Sequence, residues 1–181
     1  VLVTGNLGYI GSVLTEFLQE SYDVSGLDIG YYQDCLLQSD PKLTKQIIKD
    51  IRDIDIQDLA GFDAVVHLAA LSNDPLGEFN PDLTREINYK AAVDTATLAK
   101  KAGVKKFIYM SSQSMYGISK PGLILEEDSS EKNPVTEYAI TKWHAEQEIH
   151  ELIDKNFMVI SLRPSTVFGA SPRLRCDIVF N

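Results

Sequence analysis

Two Tyr-x-x-x-Lys pairs carry the chain's most distinctive chemistry, Tyr116 with Lys120 and Tyr138 with Lys142. A free phenol ionises near pH 10 and is a weak base at neutrality, but a neighbouring ammonium favours the phenolate. Such a couple can take a proton from an alcohol and return it. Both side chains must share a helix face, where residues four apart lie about 5–6 Å between Cβ atoms. Tyr138 falls in the first turns of a helical stretch, whereas Tyr116 is followed by Gly117 and Pro121-Gly122, a poor setting for a helix. Tyr138 and Lys142 are therefore the pair expected to act. Ser111-Ser112 follows an apolar run, 106–110, that reads as a strand. A hydroxyl there could bond the substrate oxygen and orient it toward Tyr138.

A second constellation is Thr4-Gly5-Asn6-Leu7-Gly8-Tyr9-Ile10-Gly11, placed between a strand and a helix. The first glycine permits a tight turn, the second lets backbone approach a pyrophosphate, and the third lets helix and strand pack closely. The amides at the helix start, through Gly8, Tyr9, Ile10 and Gly11, then meet phosphate without a basic side chain. Asp28 ends the next strand, where a carboxylate accepts from ribose hydroxyls and repels a 2′-phosphate. The implied cofactor is NAD rather than NADP.

The elements that must position these groups alternate regularly. Short apolar runs at 1–4, 23–28, 46–49, 64–68, 106–110 and 158–162 read as strands, and amphipathic stretches at 9–20, 53–59, 82–102 and 135–154 as helices. The pattern predicts an α/β fold with a doubly wound parallel sheet, in which ligands bind beyond the carboxyl ends of the strands. Asn80-Pro81 and Asn133-Pro134 each set a capping side chain before a proline suited to a first helical turn. Gly103 after Lys100-Lys101 is a helix stop. Residues 30–40 and 117–132 read as loops, the second long enough to suggest a functional one.

With 181 residues the chain can form one domain, 1–181, and not two ordinary ones. A net charge of −9 argues against a nucleic-acid partner, which requires clustered Lys and Arg. Cys35 and Cys176 stand far apart, so a reducing, cytoplasmic setting is expected, and the three histidines do not join them at zinc-ligand spacing; no metal is expected. No stretch approaches the roughly 20 apolar residues of a membrane span. The sequence opens on Val1 without Met and stops at Asn181 without an ending signal, so it is expected to be part of a longer protein. His67, at the end of an apolar strand, reads as a hydrogen-bonded structural histidine and Trp143 as packing. Glu146, Glu148 and Glu151 read as a solvated helix face, and the Ser171–Arg175 segment as either a surface basic cluster or a contact to a substrate phosphate.

Taken together these residues resemble the extended short-chain dehydrogenase/reductase superfamily, in its NAD-dependent epimerase/dehydratase branch. The markers run through nearly the whole chain: the glycine turn, Asp28, Asp50-Ile51, His67-Leu68-Ala69-Ala70, Asn88, Ser111 to Gly117, Tyr138-x-x-x-Lys142 and Leu162-Arg163-Pro164. The resemblance implies that Asp50 and Ile51 lie against the adenine and that Leu68, Ala69 and Ala70 line the cofactor groove. It implies Ser112, not Ser111, as the catalytic hydroxyl, Tyr138 as general acid/base, and Lys142 as a ribose ligand as well. Asn88 would brace the site, and Pro164 would sit near the nicotinamide. It further implies a nucleotide-sugar substrate, a smaller C-terminal substrate domain, and homodimers paired through the two long helices.

Two departures refine this. Sugar 4,6-dehydratases of the branch carry Asp-Glu after the catalytic hydroxyl residue, where this chain has Gln113-Ser114, so dehydration is disfavoured. Many epimerases carry Asn after Arg-x-x, and here that position is Thr166. The leading expectation is a nucleotide-sugar epimerase or related oxidoreductase. The alternatives are a reductase or dehydrogenase of a non-sugar alcohol or ketone, and a non-catalytic NAD-binding protein.

Overall fold

The computed structural model describes residues 1–35, 37, 43–72, 74–118, 122 and 124–175. Lys120, Cys176 and parts of both loops lie outside the described residues. Six strands form one sheet: β1 (Leu2–Thr4), β2 (Ser25–Asp28), β3 (Lys45–Ile48), β4 (Ala64–His67), β5 (Lys106–Met110) and β6 (Met158–Leu162). Their order is β3-β2-β1-β4-β5-β6 and every pairing is parallel. This is the doubly wound arrangement of a dinucleotide-binding sheet, with a switch point between β1 and β4.

The alternation of side chains along each strand supplies a core to both faces. Leu2, Leu27, Val65, Phe107, Tyr109 and Val159 join one buried cluster, while Val3, Val24 and Val66 join the other. Helix α1 (Tyr9–Gln19) covers the second through Leu14 and Leu18. The first is covered by the one-turn helix α2 (Ile56–Leu59) and two longer helices, α5 (Ala92–Lys101) and α6 (Glu137–Glu151). Ala92, Ala96, Ala99 and Ala145 are the small side chains at this contact, together with Ile149.

Several local expectations need correction. The helix expected at 53–59 is a 3₁₀ turn at Ile51–Asp53 followed by α2. The Asp50 carboxylate accepts from the Arg52 amide, and an Asp55–Asp58 capping box then restarts the chain. Residues 74–79, assigned to no element from sequence, form helix α3 (Asp74–Phe79), which runs into α4 (Pro81–Thr84). Asn80 caps α4 as expected, its side chain accepting from the Leu83 amide at 3.1 Å. Between α4 and α5 the expected long helix widens into a π-helical stretch at Arg85–Ala91, a local form found often at functional sites. Asn133 does not cap α6; Thr136 does, accepting from the Ala139 amide at 3.2 Å. Gly103 has φ +85° and closes α5 as expected.

Candidate active site

Because all six strands are parallel, the segments that follow Thr4, Asp28, His67, Met110 and Leu162 emerge at one edge of the sheet. At β1 that segment is the glycine turn. Gly5 has φ +71°, and a Cβ there would stand 2.8 Å from the Ala69 nitrogen. A Cβ on Gly11 would stand 2.1 Å from the Gly5 carbonyl oxygen. Both positions are closed to any larger residue. Gly8 differs: its Cβ would meet only that same oxygen, at 3.2 Å, a far milder contact than at Gly5 or Gly11. Gly8 is the N-cap of α1, supplies no side-chain cap, and no acid occupies the first turn. The amides and positive end of the helix dipole are thus left for an anion.

Asp28 is fixed beside this turn. Its carboxylate accepts from the Leu7 amide at 3.1 Å and from the Gly30 amide at 2.9 Å. Two amides hold the carboxylate at the turn, where it can also accept from ribose hydroxyls. On the other side of β1, Thr4 Oγ1 bonds His67 Nδ1 at 3.0 Å and accepts from the Ala69 amide at 3.3 Å. These contacts seat Leu68-Ala69-Ala70 against the first glycine. His67 is structural, as expected: it is fully buried and stacks on Phe107 and Tyr109. Burial, helped by the positive charge of Lys142, pushes its pKa down to about 3. Asp50 is turned mainly to Arg52, whose guanidinium donates to both its oxygens and holds its pKa below the usual carboxylate value. The Ile51 side chain lies in the core, leaving its backbone for any adenine contact.

Beyond β5 and β6 lie the side chains expected to react. Ser112 Oγ accepts from the Ser114 amide and donates to Ser114 Oγ, both at 3.1 Å, starting a 3₁₀ turn at Gln113–Tyr116. Pro164 holds that turn by accepting from the Gln113 amide at 3.1 Å. Lys142 is buried, and its ammonium donates to the Met110 carbonyl at 2.9 Å, bringing one face of α6 to the carboxyl end of β5. Desolvation lowers its pKa to about 8. Tyr138 lies one turn before it, with its backbone against Gly77 of α3: a Cβ on Gly77 would be 3.2 Å from Tyr138 Cβ. Tyr116 stands in the 3₁₀ turn, which closes at Gly117, and its hydroxyl accepts from Arg163 at 2.8 Å. A cavity of about 340 Å³ opens beside this region, lined by Gln113, Ser114, Gly117, Leu125, Val135 and Thr136 among others.

Several supporting residues were not found from sequence. Glu78 of α3 accepts from the Glu137 amide at 2.7 Å and Arg85 pairs with Glu137, so the start of α6 is held from outside the helix. Asn88, which the family resemblance marks out as a brace, lies in the π-helical stretch; it accepts from the Leu71 amide at 2.8 Å and donates to the Leu71 carbonyl at 2.9 Å, pinning the segment after β4. Glu146 corrects an expectation: it is buried and pairs with Arg163 at 2.5 Å, unlike exposed Glu148 and Glu151. Its place is four residues after Lys142, on the face of α6 that meets the protein. The Trp143 ring lies within about 6 Å of both the Lys132 and the Arg163 cation, 5.9 and 5.8 Å from its centroid. Ser171 donates to the Tyr9 carbonyl at 2.8 Å and Arg173 stacks on Tyr32 at 4.0 Å, so this segment lies against the glycine-turn half of the molecule. Among the described residues no cluster of His, Cys, Asp and Glu could hold a metal ion, and no helix is long and apolar enough to cross a membrane.

A six-stranded doubly wound sheet with a glycine turn at its switch point, and with Ser112, Tyr138 and Lys142 in the elements beyond β5, defines a dinucleotide-binding α/β domain of the short-chain dehydrogenase type. The profile of the NAD dependent epimerase/dehydratase family matches residues 1–178, and the chain belongs to that family. It is 30% identical, over 96% of its length and 50% of the relative's, to the N-acetyl-alpha-D-glucosaminyl-diphospho-ditrans,octacis-undecaprenol 4-epimerase of Escherichia coli O157:H7. It is 32% identical to the dTDP-D-glucose 4,6-dehydratase of Mus musculus, over 93% of this chain and 50% of that one. The structure of MoeE5 in complex with UDP-glucuronic acid and NAD superposes with a TM-score of 0.81 at 28% identity, covering 98% of this chain and 57% of that one. The chain thus spans about half the length of the curated relatives it matches. NAD is the cofactor of the family, and the uncapped helix start, the open face of Gly8 and the amide-held Asp28 suit it.

Proposed function

We propose that this chain is the NAD-binding half of a nucleotide-sugar epimerase or closely related sugar-nucleotide oxidoreductase. Gly5, Gly8, Tyr9, Ile10 and Gly11 would hold the diphosphate, Asp28 the adenosine ribose, and Asp50 and Ile51 the adenine. Leu68, Ala69 and Ala70 would line the groove, with Pro164 near the nicotinamide and Lys142 at its ribose. Bound there, NAD supplies the acceptor and donor of a hydride. The chain's own part is proton transfer and orientation. Ser112 bonds the substrate hydroxyl, Tyr138 takes its proton as the alcohol becomes a ketone and returns one afterwards, and the Lys142 ammonium favours the phenolate. The observation that carries this reading is the anchoring of Lys142 on the Met110 carbonyl, which ties the acid/base helix to the sheet edge that bears the glycine turn.

Epimerisation is favoured over dehydration because the two residues after Ser112 are Gln113 and Ser114, which offer no carboxylic acid to protonate a departing hydroxyl. We propose pairing into a homodimer through the exposed faces of α5 and α6, which lie side by side on the sheet. The test is a thermal-shift panel of UDP-, GDP-, CDP- and dTDP-sugars on NAD-loaded full-length protein, followed by product analysis. A ligand of the native state raises apparent stability with the logarithm of its concentration over Kd. One sugar class should stabilise the protein and return its epimer. Stabilisation by none of them, with turnover of a simple ketone, would overturn the reading.

A further inference from the structure

Buried beneath Lys142 lies a side chain to which the mechanism assigns no role. Tyr109, on β5, is fully buried, and its ring centroid is 5.1 Å from the Lys142 ammonium. Its hydroxyl has no hydrogen-bond partner among the described residues. The hydroxyl therefore does not account for a tyrosine here, and the ring face is what the lysine meets. An ammonium within about 6 Å of an aromatic centroid is attracted by the ring quadrupole, most strongly where water is excluded. Lys142 needs that help: it is buried, and among the described residues its three N–H donors meet one acceptor, the Met110 carbonyl.

We propose that Tyr109 is a positioning residue whose ring face keeps the Lys142 ammonium charged and seated under the active-site rim. This rests on Tyr138 and Lys142 being the acid/base pair. Other titratable groups around them are few. Tyr138 and Glu146 both act electrostatically on Tyr109. Glu146 is neutralised by Arg163, and His67 on β4 stacks against Tyr109 in its neutral form. None of these replaces the ring as a partner for the ammonium. Removing the π face leaves a desolvated cation, so Lys142 loses its proton at lower pH and Tyr138 forms its phenolate at higher pH.

The test is a pH titration of tyrosinate absorbance at 295 nm on full-length, NAD-loaded protein. In each background the matching Tyr138→Phe variant is subtracted, to isolate Tyr138 from the other tyrosines. Tyr109→Phe keeps the ring and removes only the orphan hydroxyl; the Tyr138 midpoint should stay in place and stability should not fall. Tyr109→Leu should raise the midpoint by about one pH unit. Because the leucine variant can fail by misfolding, phenylalanine carrying one, two and three ring fluorines at position 109 gives a nearly isosteric series with a progressively weaker π face. A midpoint that climbs with fluorine number supports the proposal, and one that does not move overturns it. Turnover of UDP-glucose or UDP-N-acetylglucosamine by the Tyr138→Phe protein is read separately. Undiminished turnover there would sink the acid/base reading while leaving the Tyr109–Lys142 result to stand on the titration alone.

Discussion

A buried histidine held neutral is a pH sensor of stability whether or not it touches substrate. His67 is depressed in the folded protein to about 3, first by burial and then by Lys142, against an ordinary value of 6.5. Its contribution is complete above pH 6.5 and is lost as pH falls toward 3, because the unfolded chain binds a proton that the native state refuses. Between pH 7 and pH 5 the loss should be about 2 kcal/mol. Urea denaturation at the two pH values measures it, and His67→Gln should flatten the difference. The Glu146–Arg163 pair makes a second prediction at this scale. Glu146→Gln leaves a partly buried guanidinium with weaker partners and should cost about 3 kcal/mol of stability, read by urea midpoint. Residue types were legible where the backbone demands a fixed spacing, as at Gly5 and Gly11, which the fold closes to larger side chains. They were not legible where burial depends on a distant partner. Glu146 looks like its exposed neighbours Glu148 and Glu151 until Arg163, seventeen residues on, is brought against it.

At the scale of elements, the glycine turn separates two effects that a motif alone confounds. An alanine at position 11 would place a methyl 2.1 Å from the Gly5 oxygen, in contact with rigid backbone. Gly11→Ala should therefore destabilise the fold, by roughly 1–3 kcal/mol or more, and abolish NAD binding. Gly8→Ala meets that oxygen at 3.2 Å, a tight contact eased by a shift of a few tenths of an ångström, so it should lower the melting temperature far less than Gly11→Ala yet weaken NAD binding at least about tenfold by blocking close approach of the diphosphate. Calorimetric melting and NAD titration of both variants check the contrast. The strands and the doubly wound class were legible because each apolar run is short and periodic helices separate most of them; the order of the strands was not. Helix α3 was not, since it is six residues long and depends on α4 and α6 rather than on its own periodicity. The cap of α6 was misplaced for a similar reason. Asn133-Pro134 has the right chemistry, but Thr136 is the residue in register with the Ala139 amide, and Glu78 secures the Glu137 amide from another helix.

On the scale of the whole molecule, a chain with a net charge of −9 is proposed to bind an anionic dinucleotide. It does so through a helix start and backbone amides rather than through Lys and Arg. Salt then screens an overall repulsion instead of competing for ion pairs, so NAD affinity should hold steady or rise slightly between 50 and 500 mM NaCl. A steep fall with salt would point to basic side chains on the phosphates. The relatives are about twice as long as this chain. What this half must provide is one rim holding both the cofactor and the proton-transfer pair. The most direct measurement is single-turnover absorbance at 340 nm on NAD-loaded full-length protein, mixed with whichever nucleotide sugar stabilises it, in wild type and Tyr138→Phe. Transient reduction should slow by about 10²-fold or more in the variant, with NAD affinity unchanged. Equal rates in the two proteins would contradict the assignment of Tyr138.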